Sequence, residues 1–431
     1  MPDRKIAPTV AGFPPLSLPE FDETLLPNGA RLLTLDSGEE KVSRMTLLWN
    51  VGVTDVGPQA AYGLMANLLT EGCDGLSGKE VTDILESNGA WLKITPTRHS
   101  TVLTLHLLNH TAPVVFPLIG KIVSSPVFPA DALESLKKKN AAEKQLSLLK
   151  PSYQATLLAR QTLYGTDHPA GHAVTPAEIL SVNREEIVSL HRDTLMANKP
   201  TIFLSGHLTD ELLAIVKDTI ESIPFDETAP GRIMRQVIPP PPFPTPKMVR
   251  KEMSDSLQTG VRIQIPTIPR DHPDYESLRF ATVALGGYFG SRLMANIREE
   301  KGYTYGIGAS LVPSPERPDI VISCECDNRY TDDVVKEIWS EIDRLASEEM
   351  TTKELETVRN IMISNLAGIL DSPFSISSFR ESTESAGLPA DTYSTQFSRT
   401  MSISAKEIKE AAAKYLLDTP AVTALAGGKP G

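Results

Sequence analysis

The chain has 431 residues, of which 41% are hydrophobic and 22% are charged, and its formal net charge is −12. This length exceeds what one ordinary hydrophobic core accommodates, so the sequence predicts a globular protein of about two to four domains. The acidic balance, from 54 acidic and 42 basic residues, argues against nucleic-acid binding and gives no support to binding at an anionic membrane surface.

The cysteines and the lack of a long apolar run narrow the class of protein further. Cys73, Cys324 and Cys326 are too few for a disulfide framework, and no second closely spaced pair completes a zinc knuckle, so we expect reduced core thiols. No run approaches the ~20 apolar residues of a membrane span, and the first residues lack the apolar stretch of a signal peptide. We therefore expect a cytoplasmic protein without a membrane partner, or a periplasmic one if a signal was removed.

From residue 41 the first half of the sequence alternates between strand and helix patterns. KVSRMTLLWNVG, residues 41–52, predicts a strand. AAYGLMANLLTEG, residues 60–72, predicts a helix that ends at Gly72, and GKEVTDILESNGAW, residues 78–91, a helix that ends at Gly89. Residues 92–108 alternate as a hairpin would. Four helical stretches follow at residues 111–126, 129–149, 153–165 and 175–195, and a closing strand at 201–208.

A proline-rich stretch separates this half from a second half with the same order of elements. Four consecutive prolines at residues 239–242 favour an extended, semi-rigid connector. After it, the patterns predict a strand at residues 257–266, helices at 274–287 and 291–302, and a hairpin at 304–326. Two long helices follow at 330–348 and 351–370, then a closing helix at 402–416 and a closing strand at 421–428.

We therefore predict an α+β fold of two homologous domains. Their predicted bounds are residues 20–224 and 250–431, with a proline-rich linker at 225–249. The identity between the halves is low, so the prediction rests on the matched order and length of the elements. Two copies are too few for a solenoid.

Three features of the sequence resemble the insulinase/pitrilysin-type zinc peptidases, the inverted zincins. LGGYFGSRLMANIREEKGYTYG, residues 285–306, is similar to the signature of their C-terminal domain, and NGARLLTLDS, residues 28–37, to the start of their N-terminal domain. The duplicated halves resemble the half-clamshell of mitochondrial-processing-peptidase-like chains. The resemblance covers residues 20 to 431 and implies a chamber that admits unfolded peptides.

The resemblance implies that Arg298 and Tyr305, seven positions apart, take part in catalysis. In that family an arginine and a tyrosine at this spacing stabilise the scissile carbonyl, and Gly302 between them would belong to the substrate-binding segment. A guanidinium and a phenol are suitable fixed donors for a developing oxyanion. From chemistry alone, the pattern fits better a surface arginine beside two glutamates and a half-buried strand tyrosine. Tyr303 is less suitable by spacing.

The zinc motif of active family members, H-x-x-E-H, is missing from the corresponding helix. Two histidines of that motif bind zinc, its glutamate acts as general base, and a more distant glutamate completes the site. Residues 60–72 contain no histidine. Leu64, Met65, Ala66, Asn67 and Leu68 stand where ligands would be needed. Glu143 lies near the position of the distant ligand but has no histidines to complete, so we expect no metal or other cofactor in this chain.

The other histidines do not suggest a zinc site elsewhere. His106 and His110 have a four-residue spacing, but on a strand they would stand about 13 Å apart, too far to share an ion. His168 and His172 lie in a loop shaped by proline and glycine. His99, His191, His207 and His272 are isolated in the sequence.

These observations lead to three hypotheses. The first is a non-zinc partner subunit of a heterodimeric zinc peptidase: a homologous subunit would hold zinc, and Arg298 and Tyr305 would act on unfolded peptides, of which an acidic chain favours basic or neutral ones. The second is a structural or binding subunit that never assists catalysis. The third is a self-sufficient zinc peptidase with unrecognised ligands.

Overall fold

The computed structural model describes residues 13–244 and 248–429 and contains two main β-sheets, each packed against its own set of helices, and one small two-stranded sheet. The α+β class predicted from the sequence is confirmed. Within the described residues, no helix is long and apolar enough to cross a bilayer.

The N-terminal half, as described from residue 13 onward, contains eight strands and eight α-helices. The strands are β1 (Asp22–Leu25), β2 (Arg31–Asp36), β3 (Val42–Trp49), β4 (Gly72–Cys73), β5 (Leu76–Ser77), β6 (Trp91–Pro96), β7 (Thr101–Leu108) and β8 (Thr201–Gly206). The helices are α1 (Gln59–Leu68), α2 (Gly78–Ser87), α3 (Ala112–Ser124), α4 (Ala130–Leu148), α5 (Pro151–Tyr164), α6 (Pro176–Ser181), α7 (Arg184–His191) and α8 (Asp210–Ser222).

The described part of the C-terminal half contains five strands and six α-helices. The strands are β9 (Met248–Glu252), β10 (Gln258–Pro266), β11 (Thr304–Val312), β12 (Asp319–Asp327) and β13 (Val422–Gly427). The helices are α9 (Tyr275–Gly286), α10 (Thr331–Ser347), α11 (Thr352–Ile369), α12 (Pro373–Ser385), α13 (Thr392–Ser402) and α14 (Ala405–Ala412). Short π-helical segments occur at Arg192–Met196, Met294–Glu300 and Ala413–Leu417.

The two main sheets share one topology. The strand orders are β1-β2-β8-β3-β7-β6 and, for the second sheet, β9-β13-β10-β12-β11 when read from its parallel edge. In the first sheet β2 pairs in parallel with β8, and in the second β9 pairs in parallel with β13. Every other pairing is antiparallel, and β1 is an additional edge strand of the first sheet. Five α-helices separate β7 from β8, and five separate β12 from β13. The internal repeat is therefore visible in the backbone, whereas the exact domain bounds 20–224, 225–249 and 250–431 stay a prediction.

Two helices that were predicted from the sequence differ in their ends. The helix predicted over residues 60–72 ends at Leu68, because Gly72 pairs with Ser77 in the small β4–β5 ribbon. The stretch predicted as one helix over residues 175–195 is broken after α6. The side chain of Asn183 accepts a hydrogen bond from the backbone N–H of Glu186 and so starts α7 as a new helix.

One helix from each half packs on the sheet of the other half. Helix α5 packs on β10 and β13, where Ala159, Leu163 and Tyr164 form a small core with Val422 and Ala424. Helix α12 packs on β8, β2 and β3. By order along the chain these are equivalent helices, each the third of the five in its half. Each sheet thus has one face on its own helices and one face covered by the other half.

The contact of α12 with the N-terminal sheet is polar as well as apolar. Arg44 of β3 forms an ion pair with Glu381 and donates to the carbonyl of Phe374 and the hydroxyl of Ser378, both at 2.7 Å. The side chains of Arg44 and Glu381 are 7% and 15% exposed. Removing either charge would leave the other buried and uncompensated, so the pair opposes separation of the two halves.

The contact of α5 with the C-terminal sheet depends on a glycine. A Cβ atom on Gly260 of β10 would lie 2.6 Å from the carbonyl carbon and oxygen of Pro151 and 2.7 Å from the backbone nitrogen of Ser152. These are backbone atoms at the start of α5, so they cannot move aside without shifting the helix. Gly260 therefore sets the distance between α5 and the sheet.

Gly260→Ala is expected to lower the free energy of unfolding by about 1–3 kcal/mol, because the added methyl group overpacks this contact. The matched control is Gly308→Ala in β11, where the nearest atom to an added Cβ is 3.5 Å away. Urea unfolding of both variants measures the difference. Equal stability of the two would show that α5 does not approach the sheet this closely.

A second buried ionic contact between the halves joins the turn between β6 and β7 to the loop between β11 and β12. His99 lies between two carboxylates, with Nδ1 3.4 Å from Asp55 and Nε2 2.6 Å from Glu316. Burial alone would lower the pKa of His99, but the two carboxylates outweigh it and raise the pKa to about 9. Burial would raise the pKa of Glu316, but hydrogen bonds from His99 and Ser314 lower it to about 2.

We expect the contact of His99 with Glu316 to stabilise the fold only within a limited range of pH. The pKa of His99 is higher when folded, so its contribution is complete below about 6.5 and is lost as the pH rises through about 9. The pKa of Glu316 is lower when folded, so its contribution is present above about 4.5 and is lost as the pH falls toward 2.

His99→Gln should therefore cost roughly 1–3 kcal/mol between about pH 4.5 and 6.5 and much less at pH 9. Urea unfolding at a series of pH values measures this difference. His172→Gln is the control, because the pair of His172 with Glu178 lies on the surface of one half. A His99→Gln penalty of the same size at pH 5.5 and pH 9.5 would contradict the assignment.

Candidate functional site

Arg298, Gly302 and Tyr305 lie on one continuous segment that links a π-helical turn to strand β11. Arg298 belongs to the π-helical segment Met294–Glu300, where the sequence predicted an ordinary helix. Gly302 has φ of +65°, a left-handed conformation that stops the helix at low cost. The backbone N–H of Tyr303 then donates to the carbonyl of Ile297 at 3.0 Å. The segment therefore turns sharply between the two predicted donors.

The guanidinium of Arg298 contacts an aromatic ring and no carboxylate within the described residues. Its Cζ atom lies 4.6 Å from the ring centroid of Phe289, whose side chain is 62% exposed. Such a stacking contact contributes about 0.5–1 kcal/mol at an exposed site and leaves the N–H groups in the guanidinium plane available. The adjacent Glu299 and Glu300 are exposed, and neither pairs with Arg298 in this structure. Phe289 thus orients the guanidinium without neutralising it.

Tyr305 projects from a β-bulge. In the pairing of β11 with β12, Thr304 is opposite Cys326 and Ile307 is opposite Cys324, so Tyr305 and Gly306 together face one residue. The Thr304 hydroxyl holds the bulge: it accepts from the Gly306 N–H at 3.2 Å and lies 2.6 Å from the carbonyl oxygen of Glu325, to which it donates. A bulge redirects the side chain that it carries. As a result Tyr305 is 93% exposed instead of half-buried.

Tyr305 stands at a groove that both halves of the chain line. The groove encloses about 460 Å³, and its walls include Ser152 and Thr156 of α5 and Arg262 of β10. The carboxylate of Glu325 accepts from the backbone N–H of Ser152 at 3.0 Å, which fixes the start of α5 at the groove. Arg298 is not among the groove's lining residues, so Tyr305, not Arg298, faces this space.

Arg262 is a candidate residue that reasoning from the sequence missed. Its Nε atom is buried and has no hydrogen-bond partner in the part of the chain that the structure describes, and burial lowers the pKa of Arg262. A charged residue in the middle of the apolar strand VRIQIP was the available signal. Phe289 was missed as well, although an exposed aromatic residue beside glycines in GGYFG could have drawn attention.

The N-terminal half does not offer a zinc site at the corresponding helix. Tyr62, Leu64, Met65 and Leu68 of α1 are buried in the core, and the amide of Asn67 donates to the carbonyl of Gly63. These groups do not fit a zinc ion, which requires nitrogen, thiolate or carboxylate ligands. Within residues 13–244 and 248–429, no three His, Cys, Asp or Glu side chains lie close enough to hold one metal ion. Glu143 is exposed on α4.

The histidine pairs noted in the sequence have structural contacts. His106 is on β7 between the rings of Trp91 and Phe374, whereas His110 lies in a short 3₁₀ turn after the strand and not on the strand as predicted. His168 stacks on Tyr164 and accepts from the N–H of Ala170 at 3.0 Å. Neither pair is arranged as two ligands of one ion.

The cysteines and His191 are buried. Burial raises the pKa of Cys326 to about 11, and it raises the pKa of Cys324 and of Cys73 as well, so these thiols stay protonated at neutral pH. Burial lowers the pKa of His191 to about 4, and the neutral ring contacts the carbonyl of Val123 at 2.8 Å. These groups are core components without a catalytic arrangement.

Comparison with known proteins finds one matching family model and several distant relatives. Residues 181–362, which include Arg298 and Tyr305, match the family described as "Peptidase M16 inactive domain". The non-peptidase homolog YmxG of Helicobacter pylori is 24% identical over 249 residues, which cover 57% of this chain and 56% of that protein. An uncharacterized zinc protease of Mycobacterium leprae is 23% identical over 297 residues, 67% of this chain and 65% of the relative. The matches thus span less than two thirds of these two relatives.

Solved structures share the fold over nearly the whole chain. A peptidase M16 inactive domain from Pseudomonas fluorescens superposes with a TM-score of 0.86 at 22% identity and covers 95% of this chain and 99% of that one. The periplasmic protease PqqL from Escherichia coli superposes with a TM-score of 0.77 at 18% identity, and this chain matches 48% of its length. Residues 181–362 therefore match the M16 inactive domain, and the chain as a whole shares the fold of these solved structures.

Proposed function

We propose that this chain is the non-zinc partner subunit of a heterodimeric zinc peptidase. In this proposal Arg298 and Tyr305 donate hydrogen bonds to the carbonyl oxygen of a peptide whose bond is cleaved at a homologous zinc-bearing subunit. The observation that carries the proposal is the exposure of Tyr305 on a bulge, 93% of its side chain, close in sequence to an arginine that no carboxylate neutralises among the described residues. Within residues 13–244 and 248–429, neither side chain makes a hydrogen bond that would explain its position.

The chemistry of the two donors supports this role. A guanidinium and a phenol act most strongly on a developing negative charge when water is excluded around them, as it would be between two subunits that close face to face. The bulge at Thr304 and the left-handed Gly302 fix the backbone on both sides of the turn. Fixed donors need little reorganisation during the reaction, which is the property that electrostatic stabilisation requires.

The composition of α1 supports division of the work between two chains. Its buried Leu64 and Met65 occupy positions where a metal centre would need ligands, so this chain would depend on its partner for zinc. The relatives include one named as a non-peptidase homolog and others named as zinc proteases. Zinc on the partner, unfolded peptides as substrate and the cytoplasm as location are parts of the proposal that direct measurements must test.

A second candidate is a structural or binding subunit without any part in catalysis. Leu146 and Leu149 at the end of α4 are 62% and 71% exposed, and Leu257 before β10 is 85% exposed. Leu146 and Leu149, three positions apart, are neighbours on one side of the helix end, and contiguous apolar surface is typical of a region that another protein covers. This candidate requires a stable complex in which peptide cleavage does not depend on Arg298.

Arg298→Ala in the reconstituted complex should reduce kcat/KM by roughly 30- to 1000-fold, the ~2–4 kcal/mol that one oxyanion donor supplies. Tyr305→Phe, which removes only the hydroxyl, should reduce it by at least about tenfold without loss of stability. The control is Arg192→Ala, since Arg192 also lies in a π-helical segment but pairs with Asp193.

Complex formation is measured on the same variants by size-exclusion chromatography, so that lost assembly is not mistaken for lost chemistry. Assembled Arg298→Ala complex that cleaves peptides at the wild-type rate would refute the catalytic role. An assembled wild-type complex that has no peptidase activity would favour the structural subunit.

Gly302→Ala tests whether the turn positions the two donors. An alanine at φ of +65° costs about 1–2 kcal/mol, so the segment should relax and separate the donors from their working positions. We expect kcat of the complex to fall by about tenfold or more while its KM changes less. Gly57→Ala is the control, because Gly57 does not have this left-handed φ and has open space around it. Unchanged kcat for Gly302→Ala would remove Gly302 from the site.

A further inference from the structure

A cavity of about 580 Å³ lies between the two halves of the chain, separate from the groove at Tyr305. Its walls come from the β6–β7 turn, the connector before β9, the loop after β10, the loop before β12 and the end of α12. This volume falls within the range of pockets that hold small-molecule ligands. Three arginines line it, Arg98, Arg235 and Arg270, and all three are half-buried.

Arg98 has a fixed backbone and an uncommitted side chain. Its carbonyl accepts from the backbone N–H of Thr54 at 2.9 Å and from the Thr54 hydroxyl at 2.7 Å. Gly52 approaches so closely that an added Cβ would lie 2.5 Å from the carbonyl carbon of Arg98. Within the described residues, the guanidinium makes no hydrogen bond or ion pair. A rigid turn therefore holds a charged group at the cavity without a protein partner for it.

The other two arginines are held by the last turn of α12. Arg235 donates to the carbonyl of Ser385 at 3.1 Å, and Arg270 contacts the hydroxyl of Ser382 at 3.3 Å. Each contact uses one of the five N–H donors of a guanidinium, and neither neutralises the charge. Asp271, the one carboxylate among the described lining residues, is exposed and pairs with none of the three.

The buried carboxylates around the cavity are already engaged with other groups. Asp55 and Glu316 contact His99. The buried Asp319, whose pKa burial raises to about 7, interacts with Arg317 and Arg262 as well as with Arg98. Behind the turn, burial together with the charge of Arg98 lowers the pKa of Arg160 and contributes to the lowered pKa of Arg262. The chain carries a net charge of −12, but arginines are in excess around this cavity. Repulsion between their charges lowers the stability of the fold, and such a cost is typical of a functional site.

We propose that this cavity binds a small organic anion through a carboxylate or phosphate group held by Arg98, Arg235 and Arg270. Guanidinium groups bind both kinds of oxyanion in a bidentate manner. Pro313, Pro315 and Leu388 on the other walls suit the carbon skeleton of such a molecule. Because the walls belong to both halves, the bound anion would join them and stabilise the folded chain. This inference does not depend on the proposed peptidase role.

Thermal unfolding of the full chain with added anions tests the proposal. The probes are citrate and succinate for carboxylates and inorganic phosphate and pyrophosphate for phosphates, each compared with chloride at matched ionic strength. We expect at least one probe at millimolar concentration to raise Tm by several degrees. In Arg98→Gln the titration midpoint of that probe should rise at least tenfold, whereas Arg192→Gln, which alters a surface arginine, should behave as wild type.

The response to the two kinds of probe identifies the chemistry. Stabilisation by phosphates alone or by carboxylates alone supports the site and names its ligand class. Without any probe, Arg98→Gln should be about as stable as wild type, because it loses no hydrogen bond or ion pair among the described residues. If that variant does not fold, Arg270→Gln replaces it. No shift beyond that of chloride, or equal shifts in wild type and both cavity variants, would overturn the proposal.

Discussion

The packing of α5 on the C-terminal sheet and of α12 on the N-terminal sheet holds the two halves of the chain in one arrangement. Each sheet would otherwise expose one face to water. The helices that cover these faces are equivalent in the repeat, so each half packs its equivalent helix on the sheet of the other half. The first contact is set by the close approach at Gly260, and the second by the buried pair of Arg44 and Glu381. Both make separation of the halves costly.

The candidate sites follow from this arrangement. The groove at Tyr305 is bounded by the start of α5, and the arginine cavity is bounded by the end of α12. Neither space would have its walls if the halves moved apart. The repeat has also diverged in chemistry. The N-terminal half has the apolar helix α1, while the C-terminal half has a sharp turn at Gly302 that carries the half-buried Arg298 and the exposed Tyr305.

Much of the fold could be predicted from the sequence because most elements cover their own sheet. Apolar spacing and glycine stops identified the hairpins and helices such as α2, α10 and α11, and Arg298 and Tyr305 were identified by resemblance. Helix α12 was not predicted. Its sequence, PFSISSFRESTES, has no strong apolar stripe, because its partner surface belongs to the other half and includes the polar side chain of Arg44. Local pattern carries no information about such a long-range contact.

The local geometry of the site was also beyond the sequence. A π-helical turn and a bulge depend on one extra residue, which spacing rules do not detect, and the bulge is what exposes Tyr305. The three cavity arginines come from three separate stretches of chain and become neighbours only through the packing of the halves. The resemblance could therefore name the two donors but not their exposure, their groove or the second cavity.

The most direct test of the account is affinity purification of the tagged chain from its native source, followed by a peptidase assay of the eluate with and without a zinc chelator. The account predicts a partner of similar size that carries H-x-x-E-H and peptide cleavage that the chelator abolishes. Recovery of this chain in a stable complex whose members lack that motif and cleave no peptide would contradict it.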